Sequence, residues 1–384
     1  MNIPNNGALK GITILDISRL LPGPYCSMIL ADHGARVIAV ENKHFKNDTP
    51  FLSPLYRNKE HICLDLKADQ GREIFLKLLE KADVVLEGFR LGVAAKLNID
   101  YKSLQKVKPD IIYCSITGYG QTGPYSSRVG HDVNFLGVAG VLDQIGNKDL
   151  SPSIPGVQIA DLAGGSMNGV IGILLALYKR EQTGMGQHID ISMTDSMACF
   201  LHIPYFLSRL TGEMPVRSDS ILSHHYAFYN IYETLDNKYL TIGAIEYKFW
   251  KNLCEKLNVP EYAPLQYDED KRQTIIKTMQ EKFKEKTLEQ WKLELDELEV
   301  CWGPVNSIEE IFKDEHLCSR KIFIDLKDKD GNTAPTIGVS LKLSETPGSI
   351  RTLPVDFGQS TYNVLKEIGF SPEQIKKLSE LDII

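Results

Sequence analysis

Two stretches of the chain each carry one titratable side chain at the edge of an apolar run. R-V-G-H-D-V-N-F-L-G-V-A-G-V-L-D, beginning at Arg128, holds the imidazole of His131, and P-G-V-Q-I-A-D-L, ending at Leu162, holds the carboxylate of Asp161. Glycines on both sides let a substrate come close to the backbone. In low-dielectric surroundings an imidazole and a carboxylate are tuned toward neutral pH, where each can take up or release a proton. The pair is read as acid and base. Taken singly, each has a plainer reading: His131 as a satisfied core histidine, Asp161 as the N-cap of the helix that L-A-G-G-S-M-N-G-V-I-G-I-L-L-A-L predicts. If that helix begins at Asp161, backbone N–H groups and the positive helix end face a developing oxyanion. Asp132 is read as a structural hydrogen-bonding residue.

The elements that must position these residues read as strands alternating with helices. I-T-I-L-D-I over 12–17 is a short buried strand, Pro22 and Pro24 suit a helix start, and Gly34 a helix stop. Further strands are expected over 36–40, 62–66, 83–86 and 111–116, with a helix over 69–81 between the third and fourth. Such spacing predicts an α/β fold with a Rossmann-like, mainly parallel sheet, whose ligand sits at the carboxyl ends of the strands. The first turn, S-R-L-L-P-G-P, lacks the G-x-G-x-x-G that admits a dinucleotide pyrophosphate, which argues against a nicotinamide or flavin enzyme. Arg19, Arg57 and Arg90 are placed at strand ends and are expected to share one anion-binding rim with the loop over 118–124. A strand over 188–192 and a single long helix over 193–210 follow. The polar stretch T-G-E-M-P-V-R-S-D-S-I-L-S reads as a linker, and Asp236-Asn237 as the turn of an aromatic hairpin that opens a small α+β domain. Glu246 lies just past that hairpin, at a helix start. The expected division is a large domain from 1–200, a linker over 201–223, a small domain over 224–304, a return linker over 305–320 and a C-terminal part over 321–384 that completes the large domain.

Composition bounds the function. With 384 residues, 43% hydrophobic and 24% charged, the chain can bury a sizeable core. A net charge of −7 leaves no bulk basic footprint, so nucleic acid is not the expected partner. Seven scattered cysteines, odd in number and without C-x-x-C spacing, point to reduced thiols and neither a disulfide frame nor a metal site. The segment M-N-I-P-N-N-G-A-L-K-G has no leader pattern and no apolar run is read as membrane-spanning, so a cytoplasmic protein without a membrane partner is expected.

Beyond these patterns, L-S-R-L-L-P-G-P-Y-C-S-M-I-L-A-D-H-G-A is read with R-N-K-E-H-I-C-L-D-L-K, G-H-D-V-N-F-L-G-V-A-G-V-L, A-D-L-A-G-G and G-M-G-Q-H-I-D-I-S-M-T-D. Together they resemble the family III CoA-transferase and racemase superfamily over nearly the whole chain, and G-H-D-V-N-F with I-E-Y-K-F-W is most similar to its racemase branch. The resemblance implies an interlocked homodimer with shared active sites, an acyl-CoA substrate, and no cofactor beyond the coenzyme A of the thioester. His131 and Asp161 match the two acid/base residues of the racemases, and Glu246 the acid that hydrogen-bonds the histidine. Asp161 also matches the aspartate nucleophile of the transferases, so a CoA-transferase remains the alternative. Formyl-CoA-type transferases carry a glycine-rich loop in the small domain, and I-E-Y-K-F-W-K-N-L has none. The sequence departs from the family pattern at Ala39, where Lys or Arg usually stands beside the CoA phosphates, and at Leu91, where Pro usually follows the motif arginine.

Overall fold

The computed structural model describes residues 4–47, 50–327 and 333–384; residues 1–3, at the head of the N-terminal segment considered above, lie outside. The chain divides into two compact units, one of Met1–Val141, Pro155–Phe200 and Cys318–Ile384, the other of Leu142–Ile154 and Leu201–Leu317.

The first unit is built on six strands: β1 (Thr13–Asp16), β2 (Arg36–Glu41), β3 (Lys59–Cys63), β4 (Val84–Glu87), β5 (Ile112–Thr117) and β6 (His188–Ser192). They form one all-parallel sheet in the order β3-β2-β1-β4-β5-β6, with Leu15 paired to Ile38 on one side and to Val85 on the other. The order reverses between β1 and β4, which puts a crevice at the carboxyl ends of those two strands. Central strands covered by helices on both faces are mostly apolar, and Ile14, Leu15, Val84, Val85 and Leu86 are accordingly buried, with Asp16 and Glu87 buried at the strand ends. Leu15, Ile38, Ile62, Phe75, Leu78, Val85 and Tyr113 join one core with Val364, Leu365, Ile375 and Leu378 of the two C-terminal helices. Those helices, Thr361–Glu367 and Pro372–Glu380, part at Gly369 (φ 95°), and Ser371 with Gln374 caps the second. Phe323–Lys327 and Thr333–Ile337 form a separate antiparallel pair.

Two helical expectations are corrected. The run from Asp161 does not start as an ordinary α-helix: Ala160–Met167 winds in wider i→i+5 turns before the α-helix Asn168–Thr183, and Asp161 lies inside the first turn, not at the N-cap, which is Ile159. Small residues permit this, since a Cβ at Gly165 would stand 2.9 Å from Pro22 of the helix Pro22–Asp32. Residues 193–210 are not one helix but Met193–Ala198, a tight turn at Cys199–Leu201, and His202–Thr211. Pro204 explains the break, because its ring excludes the carbonyl four residues earlier. The 24-residue helical run Ala160–Thr183, in which an 18-residue window has a mean hydropathy of 1.5, is also long and apolar enough to cross a bilayer by length and composition, contrary to the sequence reading. In this fold Gly169, Val170, Ile173 and Ala176 are buried.

The second unit holds an antiparallel sheet of β7 (Tyr229–Glu233), β8 (Tyr239–Gly243) and β9 (Trp302–Pro304), with Tyr232 opposite Leu240. Asn237, at φ 56°, makes the hairpin turn. Residues 302–304, read from sequence as a boundary, are thus a strand. Phe228, Tyr232, Trp250, Phe283 and Trp291 fill the core, and both indoles donate to backbone oxygens, Trp250 to Tyr262 at 3.1 Å and Trp291 to Phe283 at 2.8 Å. Leu142–Ile154, expected with the large domain, clusters with this unit because Arg217 donates to the carbonyls of Asp143 (2.7 Å) and Leu150 (2.7 Å) and Lys148 pairs with Asp219 at 3.0 Å.

Candidate active site

At the carboxyl ends of β1, β4 and β5 in the first unit lies a cavity of about 510 Å³. The loop after β1 brings Arg19 and Leu20 to it, the loop after β4 brings Gly88–Leu91, and the chain after β5 brings Thr117–Tyr119 and Arg128–His131. Asp161 and Met193 also line it, with Pro22, Asn134 and Phe135 among the other wall residues.

The first loop is held from below. Asp16, 1% exposed, accepts from the Ser18 N–H at 3.0 Å and from the hydroxyls of Ser18 and Ser27. Lys59 is buried beside them, its Nζ 2.7 Å from Ser27 Oγ, 2.8 Å from the Pro24 carbonyl and 3.6 Å from Asp16. A buried ammonium is tolerable only with such partners. Gly23 is required here because a side chain would collide with Ser18. The platform holds Leu20 at φ 66°, an unfavourable conformation for a bulky residue, on the cavity wall. Arg19 is fixed by Glu41, Nε to Oε1 at 2.7 Å, with its guanidinium 3.2 Å from the Phe45 ring centroid. Gly358 donates to His61 Nδ1 at 2.9 Å, which leaves Nε2–H of that imidazole facing Glu41 at 3.4 Å.

His131 is the exposed residue that begins the helix Asp132–Val138; its N–H donates to Asn134 Oδ1 at 2.9 Å, and its imidazole lines the cavity. Asp132 is buried and turns the other way, its Oδ1 accepting the Asp161 N–H at 3.0 Å. This bond, across 29 residues of sequence, brings the segments of His131 and Asp161 together. Asp161 is half-buried, and burial first, then the negative charge of Asp132, push its carboxyl up to about 6, while the charge of His131 acts the other way. Because Asp132 takes the Asp161 N–H and Gln158 O takes that of Leu162 (3.0 Å), the expectation that the first-turn N–H groups face an oxyanion does not hold for these two.

Of the residues expected at the site, His131, Asp161, Arg19 and Arg90 line one cavity. Arg57 does not. It precedes β3, so it lies at the amino edge of the sheet, 6% exposed, with its Nη2 2.6 Å from Asp32 Oδ2 and further bonds to the carbonyls of Ile337 and Gly338. Its charge is spent on folding. Glu246 belongs to the second unit, where it is exposed and begins the helix Tyr247–Lys256. Arg128, given no role from sequence, also lines the cavity, its guanidinium 3.5 Å from the Tyr125 ring centroid; its place three residues before His131 was the available signal. Among the described residues no three His, Cys, Asp or Glu side chains group as metal ligands. The cavity therefore offers three guanidinium groups for an anionic ligand and two proton carriers beside them.

The sequence matches the family model described as CoA-transferase family III over residues 9–361. It is 35% identical over 380 residues to the alpha-methylacyl-CoA racemase of Homo sapiens, covering 98% of this chain and 97% of that protein. To the succinate–glutarate CoA-transferase of Agrobacterium fabrum it is 32% identical over 387 residues, covering 94% and 95%. The fold resembles the crystal structure of a CAIB/BAIF family protein from Brucella suis, with a TM-score of 0.83 and 28% identity, covering 94% of this chain and 100% of that one.

Proposed function

We propose, for a chain that belongs to CoA-transferase family III, that it interconverts the configuration at the α-carbon of a 2-methylacyl-CoA thioester. The observation that carries this reading is that His131 and Asp161 face one cavity, near enough for the imidazole's charge to act on a carboxyl held at about 6. Inversion requires one base to remove the α-proton from one face, leaving its electron pair spread onto the thioester oxygen as an enolate, and a second group to return a proton to the other face. Neutral His131 with protonated Asp161 serves one hand of substrate, and the reverse protonation the other. Each positioned group contributes about 10²–10⁴-fold.

Arg19, Arg90 and Arg128 hold the phosphates of coenzyme A, which enters with the substrate, and no resident cofactor takes part. We extend the proposal to a homodimer in which Glu246 of one subunit orients His131 of the other. Exposed apolar faces support a partner copy: Ile171, Leu174, Leu175 and Tyr178 in the first unit, and Ile203, Tyr205, Phe206 and Leu210 in the second. In this reading a second copy, not a bilayer, covers them.

A second reading is favoured by the transferase relative at 32% identity. In it Asp161 attacks the thioester carbonyl and expels the CoA thiolate, forming a mixed anhydride; the thiolate then attacks the Asp161 carbonyl, releasing the first carboxylate and leaving an Asp161–CoA thioester, from which a second carboxylate takes the CoA by the reverse of these two steps and frees Asp161. The test is incubation with a 2-methylacyl-CoA in D₂O, with and without a second carboxylic acid, and with hydroxylamine. The racemase reading expects deuterium at the α-carbon without any acceptor, loss of exchange in Asp161→Asn and nearly so in His131→Ala, and no trapped acyl-enzyme. Covalent capture at Asp161 together with full activity in His131→Ala would install the transferase.

A further inference from the structure

Beneath the cavity wall, Glu87 is 3% exposed and has no part in the chemistry above. It ends β4, and the residues that follow it, Gly88, Phe89 and Arg90, line the cavity. One oxygen of its carboxyl, Oε2, accepts the Phe89 N–H at 2.6 Å, closing a ring between the last strand residue and the backbone two residues on. The Ser115 hydroxyl of β5 bonds the same carboxyl and stands 3.0 Å from His188 Nε2 of β6. Burial, aided by the charge of Asp190 on β6, pushes Glu87 up to about 7, against the pull of the Phe89 and Ser115 bonds. Tyr113 and Cys114 of β5 also feel its charge. A strand that is otherwise Val84, Val85 and Leu86 pays this desolvation cost at one position only. What the carboxyl obtains there is the turn: Gly88 is exposed and lacks a side chain to pack, and Gly92 leaves the loop at φ 83°.

We propose that Glu87 is a positioning residue that locks the Gly88–Phe89–Arg90 turn through the Phe89 N–H and so presents the Arg90 guanidinium to the phosphates of the thioester substrate. The role rests on the reading of this cavity as a CoA-thioester site. It acts through Arg90, so its loss matters only while Arg90 is present.

The test is a double-mutant cycle read by calorimetric titration of the full chain with free coenzyme A. Glu87→Leu is expected to weaken binding about tenfold, the value of one hydrogen bond, and by less than about twofold in an Arg90→Ala background. Glu87→Gln, whose amide oxygen still accepts from Phe89 and whose amide N–H still reaches Ser115, is expected to bind within about twofold of wild type. Should Glu87→Leu fail to melt cooperatively, Glu87→Asp, with its carboxylate withdrawn by one methylene, carries the same comparison. Equal losses with and without Arg90, or no loss, overturn the positioning role while leaving the cavity's reading intact. A wild-type protein without affinity for coenzyme A overturns the reading of the cavity and the role of Glu87 with it.

Discussion

Replacing Asp132 by Asn removes a negative charge beside Asp161 while keeping an oxygen for the Asp161 N–H, bonded at 3.0 Å. Asp161 rises from 3.8 to about 6, by burial first and by Asp132 second. At pH 5 a carboxyl with a pKa of 6 is ionised in about one molecule in eleven, whereas at 3.8 it is ionised in more than about nine in ten. When Asp161 and His131 both hold a proton, the pair has no base, so kcat/KM should fall about tenfold per pH unit below about 6. Both hands of substrate must show the same limb, because an equilibrium constant near one ties their kcat/KM values together at every pH. In Asp132→Asn the limb should move down yet stay above the ordinary carboxylate range, since burial remains. Activity at pH 5, relative to its plateau, should therefore rise several-fold, within a ceiling of about tenfold. The assay is deuterium exchange at the α-carbon of a 2-methylacyl-CoA between pH 4.5 and 8, with melting curves to show that the variant stays folded. A limb that remains near pH 6 in Asp132→Asn, or a wild-type limb near pH 4, would refute the electrostatic argument.

Asp161→Asn should also change stability in a pH-dependent way. The folded pKa lies above the unfolded one, so the contribution of Asp161 is fully present below pH 3.8 and is lost as pH rises through about 6; the variant should gain melting temperature relative to wild type at pH 8 but not at pH 3.5, and the reverse order would count against the burial of this group. Arg57→Ala should cost about 3–5 kcal/mol in denaturant unfolding because it strands the buried Asp32, while the folded variant binds coenzyme A like wild type; a selective loss of binding would return Arg57 to the site. Sedimentation should show a dimer with no active monomer on dilution, and mixed dimers of Glu246→Gln with His131→Ala subunits should regain about half of the wild-type sites; the absence of complementation would remove Glu246 from the partner's site.

The strands of a mainly parallel sheet and a crevice at their carboxyl ends were legible from local pattern, whereas the order of the strands in the sheet was not. Short apolar runs such as T-I-L-D and V-V-L-E have few alternatives once helices separate them, and I-T-I-L-D-I began within one residue of the observed β1. His131 and Asp161 were legible because each stands where an apolar run breaks and because their surrounding residues resemble those of a known family. Helix interiors were less so: Pro204 divides the run over 193–210, and the wide turns at Ala160–Met167 depend on what Gly165 packs against.

Residue types and spacing thus determined an α/β chain with a parallel sheet and a crevice at its strand ends, and singled out an imidazole and a carboxylate that both come to line that crevice. Tertiary structure decided which arginines line that crevice. Arg19 and Arg57 look alike in sequence, but one follows its strand and the other precedes it, and a parallel sheet sends those two positions to opposite edges, so Arg57 meets Asp32 where Arg19 meets the cavity. It alone decided, too, that Asp132 bonds Asp161 across 29 residues and that Glu87 is buried under the turn bearing Arg90. Local propensity acts over a few neighbours along the chain, whereas the desolvation and fields that set the Asp161 carboxyl come from side chains that only folding brings within reach.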